Sequence, residues 1–276
     1  MDIGIFSKTF EGKIPNDILN RITQAGYSAV HYNLISSGMV SMPEMISQEH
    51  ASLIYNTAKK YKLNLVGISG TFNMAHPDEE IRTKGLKRLR ILASFAKEAK
   101  IPLISLCTGT RDRNDMWKYH HDNNGKQAWI DLSKTLEKSL TIAEDLNLDL
   151  GIEPEMANII NSSYKAKILL DQMQSSKLKI IMDPANILKP TFFNKQKIII
   201  DNFINLLKDE IVMLHVKDLN KNGNVVAAGE GIIDFSYCLK NLCENDFNGS
   251  IITHGLTEKS AIKVFKHLQK ILINDL

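Results

Sequence analysis

Short β-branched and apolar runs alternate with longer amphipathic segments from one end of the chain to the other. Residues 3–6, 29–33, 64–69, 103–107, 148–153, 179–183, 212–217 and 250–254 read as eight strands. Several, IIMDP and IVMLHV among them, are continuously apolar rather than alternating, as strands buried on both faces of a parallel sheet are. Between the strands, Ile81, Gly85, Leu89, Leu92, Ala96 and Ala99 recur at helical spacing. So do Ala128, Leu132, Leu136, Leu140, Ala143 and Leu146, and the set Ala261, Val264, Phe265, Leu268, Ile271 and Leu272. Each set leaves Lys, Arg, Glu and Asp on the opposite face, as helices packed round the outside of a sheet do. Pro77-Asp78 is expected to start the third helix, and Asn16-Asp17 to open the first after Pro15.

Eight strand–helix pairs in strict alternation imply right-handed crossovers and one parallel sheet. With eight of them, closure into a single-domain (β/α)8 TIM barrel over residues 1–276 is the expected fold. No linker, low-complexity tract or short repeat divides the chain. The longest irregular stretch, residues 108–125, follows the fourth strand, where a barrel places a loop of its active site.

Composition narrows the function classes. The 34 basic and 31 acidic residues leave a net charge of +3, no strong field for nucleic acid but compatible with an anionic metabolite. Cys107, Cys238 and Cys243 are too few and too irregular for a disulfide framework or a zinc knuckle, which fits a reducing cytoplasm. No apolar run approaches the length of a membrane span, and MDIGIFSKTF has no leader pattern, so a soluble protein without a membrane partner is expected.

In such a barrel the chemistry comes from polar residues where the strands finish. Strand five ends in GIEPE, strand six in MDPAN, strand seven in HVKD and strand eight in THG. Earlier strands contribute His31, Asn33, Ser69 and Thr108. Glu153, Asp183 and His215 therefore converge on one rim from adjacent strands. Two carboxylates and an imidazole suit Mn²⁺, Co²⁺, Zn²⁺, Mg²⁺ or Fe²⁺ and leave positions open for substrate. Without a cation, ionisable groups in an apolar mouth would be badly desolvated. The plainer readings are that Asp183 caps the next helix and that His215 is a hydrogen-bonded core histidine.

At these residues the chain resembles the sugar phosphate isomerase/epimerase family, the xylose isomerase-like barrels. GIEPE, IMDPAN, LHVKD and AAGEGIIDF carry the resemblance, together with GIFSKTF, HYNL, THGL and the loop CTGTRDRNDMWKYHHDN, and they keep their order over nearly the whole chain. The resemblance implies one divalent metal held by residues of strands five to eight. Glu153, Asp183 and His215 match the first three positions, and His254 stands where the epimerases have a glutamate. In those enzymes two glutamates exchange protons on opposite faces of the substrate; here one is in register, and His254 becomes the fourth ligand or the second acid/base.

The expected reaction is isomerisation or epimerisation of a small sugar, keto-sugar or sugar phosphate, by proton abstraction next to a carbonyl through a metal-stabilised enediolate. Glu153 is the expected base, with His254 and Lys217 as further catalytic groups. Asn33, His120, Glu155, Asn186, Lys217 and Glu230 are the expected substrate contacts, with His121, Arg111, Arg113 and Trp117 on the same long loop. The backbone of Gly229-Glu230-Gly231 is a weak candidate anion cradle. The partners expected are the carbohydrate and a second copy of the chain. One rival is a dehydratase or lyase acting on a keto-inositol-like substrate. Endonuclease IV-like repair and a non-catalytic sugar-binding barrel are the others. Repair would need more ligands than the chain supplies, since Asn186 stands where the repair enzymes have histidine.

Overall fold

Eight parallel strands close on themselves in the computed structural model, which describes residues 1–274. The last two residues of the expected domain lie outside the described residues. The barrel strands are β1 (Ile3–Phe6), β2 (Ala29–Tyr32), β3 (Asn64–Ser69), β4 (Leu103–Leu106), β5 (Asp149–Ile152), β6 (Leu178–Met182), β7 (Ile211–Val216) and β10 (Ser250–Thr253). Each pairs with its sequence neighbour, and β10 closes the ring between β7 and β1. Helices α1 (Pro15–Gln24), α2 (Gln48–Lys60), α3 (Glu79–Glu98), α4 (Lys126–Leu146), α5 (Ser163–Met173), α6 (Pro184–Ile187), α7 (Gln196–Leu207), α8 (Phe235–Glu244) and α9 (Ala261–Asn274) fill the crossovers. This is the (β/α)8 TIM barrel.

Alternation along the strands builds two cores. Inside the barrel, Phe6, Ala29, Leu103, Ile181, Met213 and Ile252 pack into a small apolar floor. Space there is tight: a Cβ on Gly151 would come within 2.8 Å of Ile181 Cδ1, so β5 contributes no side chain to that layer. Outside, the strands meet Leu89 and Leu92 of α3, Leu132 and Leu136 of α4, and Val264 and Leu268 of α9, all buried. Each such side chain contributes about 1.5–3 kcal/mol by leaving water. Gly85 of α3 is where Phe72 lies against the helix, and a Cβ there would meet the ring at 2.1 Å.

Several expectations need adjusting. The barrel strands of 29–33, 103–107, 148–153, 179–183, 212–217 and 250–254 were expected to include their polar ends, but they stop at Tyr32, Leu106, Ile152, Met182, Val216 and Thr253. Asn33, Cys107, Glu153, Asp183, Lys217 and His254 stand one residue past the strand ends, and the N–H groups of Glu153 and His254 still donate to the Leu106 and Val216 carbonyls, at 3.0 and 3.1 Å. Asp78 does cap α3, its carboxylate accepting from the Glu80 N–H at 2.8 Å. At α1, however, Pro15 is itself the first helical residue, with its missing donor placed where none is needed. Asn16 instead accepts from Tyr61 Oη and Lys60 Nζ, both at 3.1 Å. Ile81 lies on the outer face of α3, 43% exposed. A hairpin, β8 (Asp218–Leu219) with β9 (Val225–Val226), stands outside the barrel after β7 and had no counterpart in the sequence reading.

Candidate functional site

The same alternation that builds the floor builds the site one layer higher. Two residues beyond Ile181, Met213 and Ile252 come Asp183, His215 and His254; two beyond Gly151 comes Glu153. One ligand atom from each of these four residues falls within 4.8 Å of the others. Glu153 Oε1 accepts from Asn186 Nδ2 at 2.7 Å, and Oε2 lies 3.2 Å from His215 Nδ1. Asp183 Oδ2 lies 3.0 Å from His254 Nε2 and 3.2 Å from Lys217 Nζ. Its other oxygen accepts from the Ala185 N–H at 2.9 Å, so Asp183 also caps the short α6. The capping reading of that residue therefore holds, and its Oδ2 remains turned toward the cluster.

Electrostatics bind the cluster. Burial alone would raise the Glu153 carboxyl, but His215, Lys217 and His254 hold it below the ordinary carboxylate range. Burial would likewise lower Lys217, yet Asp183, Glu153 and Glu155 keep it above the ordinary lysine value, so it is a fixed cation. Lys217 Nζ also donates to Asn186 Oδ1 at 2.6 Å, so Asn186 bridges Lys217 and Glu153. Glu155 faces the same charges despite Pro154. Burial, against the pull of Lys217, pushes its carboxyl up to about 7. His254 is held below the ordinary histidine value by burial, which outweighs its contact with Asp183.

The donor set fits a divalent cation. His215 is 1% exposed, and its Nδ1 has no hydrogen-bond partner, because the approach to Glu153 is close but not aligned. An unpartnered ring nitrogen beside two carboxylates and a second imidazole is a costly arrangement that a cation would satisfy.

Other expected contacts lie elsewhere or are already engaged. Asn33 Oδ1 accepts from Ile35 N–H and Ser41 Oγ, both at 3.0 Å, which folds the loop after β2. His120 Nδ1 accepts from Asp122 N–H at 3.2 Å, and its ring stacks on His121 in an exposed turn. Arg111 is a strut: its guanidinium reaches Asp131 at 2.7 Å and the Ala75 carbonyl at 2.9 Å. Trp117, at the loop apex, is 52% exposed. Glu230 pairs with Lys263 at 2.8 Å and lines a cleft of about 630 Å³ between Lys8, the β9 edge and Leu256. That cleft meets the four-residue cluster at His254. The backbone at Gly229 and Gly231 does cradle an anion, but an internal one: both N–H groups donate to Asp218 Oδ2, at 3.1 and 3.0 Å. Cys107 is buried, and burial, with Glu153 and Glu155, pushes its thiol far up and favours the neutral form.

Two residues at the site were outside the expected set. Phe6, at the end of β1, is in ring contact with His31, His215 and His254. His31, a strand-end imidazole to which the sequence assigns no role, has its ring between Ser105 and His215. An aromatic closing an apolar strand reads as core, and nothing in spacing separates it from a site wall.

Among the described residues no helix is long and apolar enough to cross a membrane. No curated protein sequence matches the chain. Solved structures share the fold at low identity. A D-tagatose 3-epimerase-like protein superposes with a TM-score of 0.78 at 16% identity, over 99% of this chain and 97% of that one. A 3-keto-D-glucoside 4-epimerase from E. coli gives 0.78 at 14%, over 98% and 99%. A D-psicose 3-epimerase from Clostridium cellulolyticum H10, solved with D-tagatose, gives 0.72 at 17%, over 98% and 92%. The model of the xylose isomerase-like TIM barrels matches residues 19–271, a span that includes every residue of the four-membered cluster. That match spans most of the chain, and the chain belongs to the xylose isomerase-like TIM barrel family.

Proposed function

We propose that the protein is a divalent-metal-dependent isomerase or epimerase of a small sugar, keto-sugar or sugar phosphate. The observation that carries this reading is the meeting of Glu153, Asp183, His215 and His254 at the barrel mouth with one imidazole nitrogen left unpartnered. Among the structural neighbours are a 3-keto-D-glucoside 4-epimerase, a D-psicose 3-epimerase and a D-tagatose 3-epimerase-like protein, which supports the substrate class.

Those four residues would hold the ion, which would polarise a substrate carbonyl and make the adjacent C–H more acidic. Glu153 is the base that takes that proton. Its ionised form is favoured by the charges around it, and Asn186 holds its second oxygen in place. Lys217, a fixed ammonium, steadies negative charge as it develops on substrate oxygen. Glu155, whose carboxyl is pushed up to about 7 by burial, has its protonated form within reach at neutral pH and is suited to return a proton. That assignment replaces the missing strand-eight glutamate with a carboxyl group two residues beyond the base, and leaves His254 as a ligand.

A carboxylic acid available at neutral pH also serves the dehydratase reading, because it can protonate a departing hydroxyl. One experiment separates the two. The protein, loaded with Mn²⁺, Co²⁺ or Zn²⁺, is incubated with ketohexoses, their phosphates and an inosose in D₂O and followed by NMR. Deuterium entering next to the carbonyl with an epimerised or isomerised product supports the proposal; loss of water identifies the dehydratase. Glu153→Gln is expected to abolish exchange. A wild type that takes up no metal and exchanges no proton in any of these compounds refutes the proposal.

A further inference from the structure

His31 does nothing in the chemistry above, yet its setting is the most constrained in the barrel mouth. It is fully buried on β2. The ladder between β2 and β3 slips there: Val30 faces Leu65, but His31 faces Gly67, so Val66 is skipped. Irregularities of this kind re-aim a side chain beside a site. The residue opposite is a glycine, whose added Cβ would stand 3.4 Å from both Cε1 and Nδ1 of the imidazole. On its other side the ring stacks on Phe6, with centroids 4.3 Å apart and planes 13° from parallel.

Clamped in that slot, the ring presents each nitrogen to a partner. Nε2 lies 2.9 Å from Ser105 Oγ, and Nδ1 lies 3.4 Å from His215 Nε2. His215 in turn has its other nitrogen, Nδ1, unpartnered beside Glu153. Proton placement along this line is not free. For His215 Nδ1 to offer a lone pair, its proton sits on Nε2 and is donated to His31 Nδ1. His31 then carries its own proton on Nε2 and donates it to Ser105 Oγ. Each ring's tautomer fixes the next.

We propose that Ser105 and His31 are positioning residues that lock His215 in the orientation and tautomer needed to ligate a cation through Nδ1. The inference rests on the metal reading above. Ligating histidines elsewhere keep their second nitrogen hydrogen-bonded, and loss of that partner typically costs about 10- to 100-fold in metal affinity. The partner here is unusual in being another imidazole, which serves only in one tautomer. Ser105 Oγ supplies the acceptor that this tautomer needs at the far end of the line.

The test is affinity for Zn²⁺ and Co²⁺ by chelator competition, with the visible spectrum of the Co²⁺ form, on wild type, His31→Phe, His31→Asn and Ser105→Ala. His31→Phe keeps an aromatic ring to stack on Phe6 and removes both nitrogens. It is expected to weaken binding about 10- to 100-fold and to shift the Co²⁺ bands. His31→Asn, which can turn an amide oxygen toward His215 Nε2, is expected to stay within about threefold of wild type. A His31→Phe protein that binds like wild type, or a His31→Asn protein as weak as His31→Phe, overturns the proposal. Where His31→Phe does not fold, Ser105→Ala decides: a loss of about fivefold or more supports the relay, and wild-type affinity overturns it. A wild type that binds no ion refutes the metal reading and the relay together. Binding unaffected by these variants refutes the relay alone.

Discussion

Asp218 offers a quantitative test of how the mouth is held together. Its carboxylate is 1% exposed and accepts four backbone N–H groups. Oδ1 takes Leu219 at 2.8 Å and Ile233 at 3.0 Å; Oδ2 takes Gly229 at 3.1 Å and Gly231 at 3.0 Å. In Asp218→Asn one of these oxygens becomes an NH₂ group. Whichever way the amide turns, two backbone donors then face a donor. Two hydrogen bonds to a charged acceptor are worth about 1.5–3 kcal/mol each, and the Gly229 and Gly231 bonds are only partly buried, so a total near the lower end, about 3 kcal/mol, is expected. The cost should fall on the segment from the hairpin to Ile233 rather than on the barrel, because the lost bonds all belong to that segment. Native-state hydrogen exchange by mass spectrometry reads this directly. Peptides covering residues 219–233 should exchange on the order of 100-fold faster in the variant, with β4 to β6 unchanged. Exchange within about threefold of wild type would mean that water or neighbouring groups replace the carboxylate, and the reasoning would fail.

Two further outcomes follow from the charges at the mouth. Lys217→Met removes an ammonium 3.2 Å from Asp183, so the like-charge opposition to a bound dication disappears; Zn²⁺ affinity by chelator competition should rise about tenfold, and a fall would mean that Lys217 chiefly holds the carboxylates in place. Burial, aided by the nearby His215, holds His31 well below the ordinary histidine value, so the metal-free native state takes up no proton there while the unfolded chain gains one below pH about 6.5. Its contribution to stability is complete above that pH and is lost as pH falls, by up to about 1.4 kcal/mol per pH unit. Urea denaturation at pH 7.5, 6.0 and 5.0 should show a slope smaller by about one proton in His31→Phe, and equal slopes would contradict the assignment.

What the sequence disclosed and what it hid follow a physical line. Strands buried on both faces must be apolar, so Glu153, Asp183, His215 and His254 stood out as polar ends to apolar runs, and side-chain alternation put three of them one layer above Ile181, Met213 and Ile252. Loop residues obey no such period. Nothing in Arg111, Asn33 or the Gly229–Gly231 turn distinguishes a group waiting for substrate from one already paired with Asp131, Ile35 or Asp218. His31 was visible as a strand-end imidazole, but its part depends on a register slip that leaves no mark in the residue pattern. The two-residue strands of the hairpin are too short to show any alternation at all.

The loop after β4 is built in two parts with different freedoms. Its roots are pinned by buried groups. Asn158 Oδ1 accepts from Gly109 N–H at 2.7 Å, Asn123 Oδ1 accepts from Thr110 Oγ1 at 2.9 Å, and Asp131 holds Arg111 and Arg82. Its crest, with Trp117 at 52% and Tyr119 at 53% exposure, contributes little to that anchoring. Substitutions at the crest therefore change the face that the loop shows to solvent while the pairs beneath it stay intact.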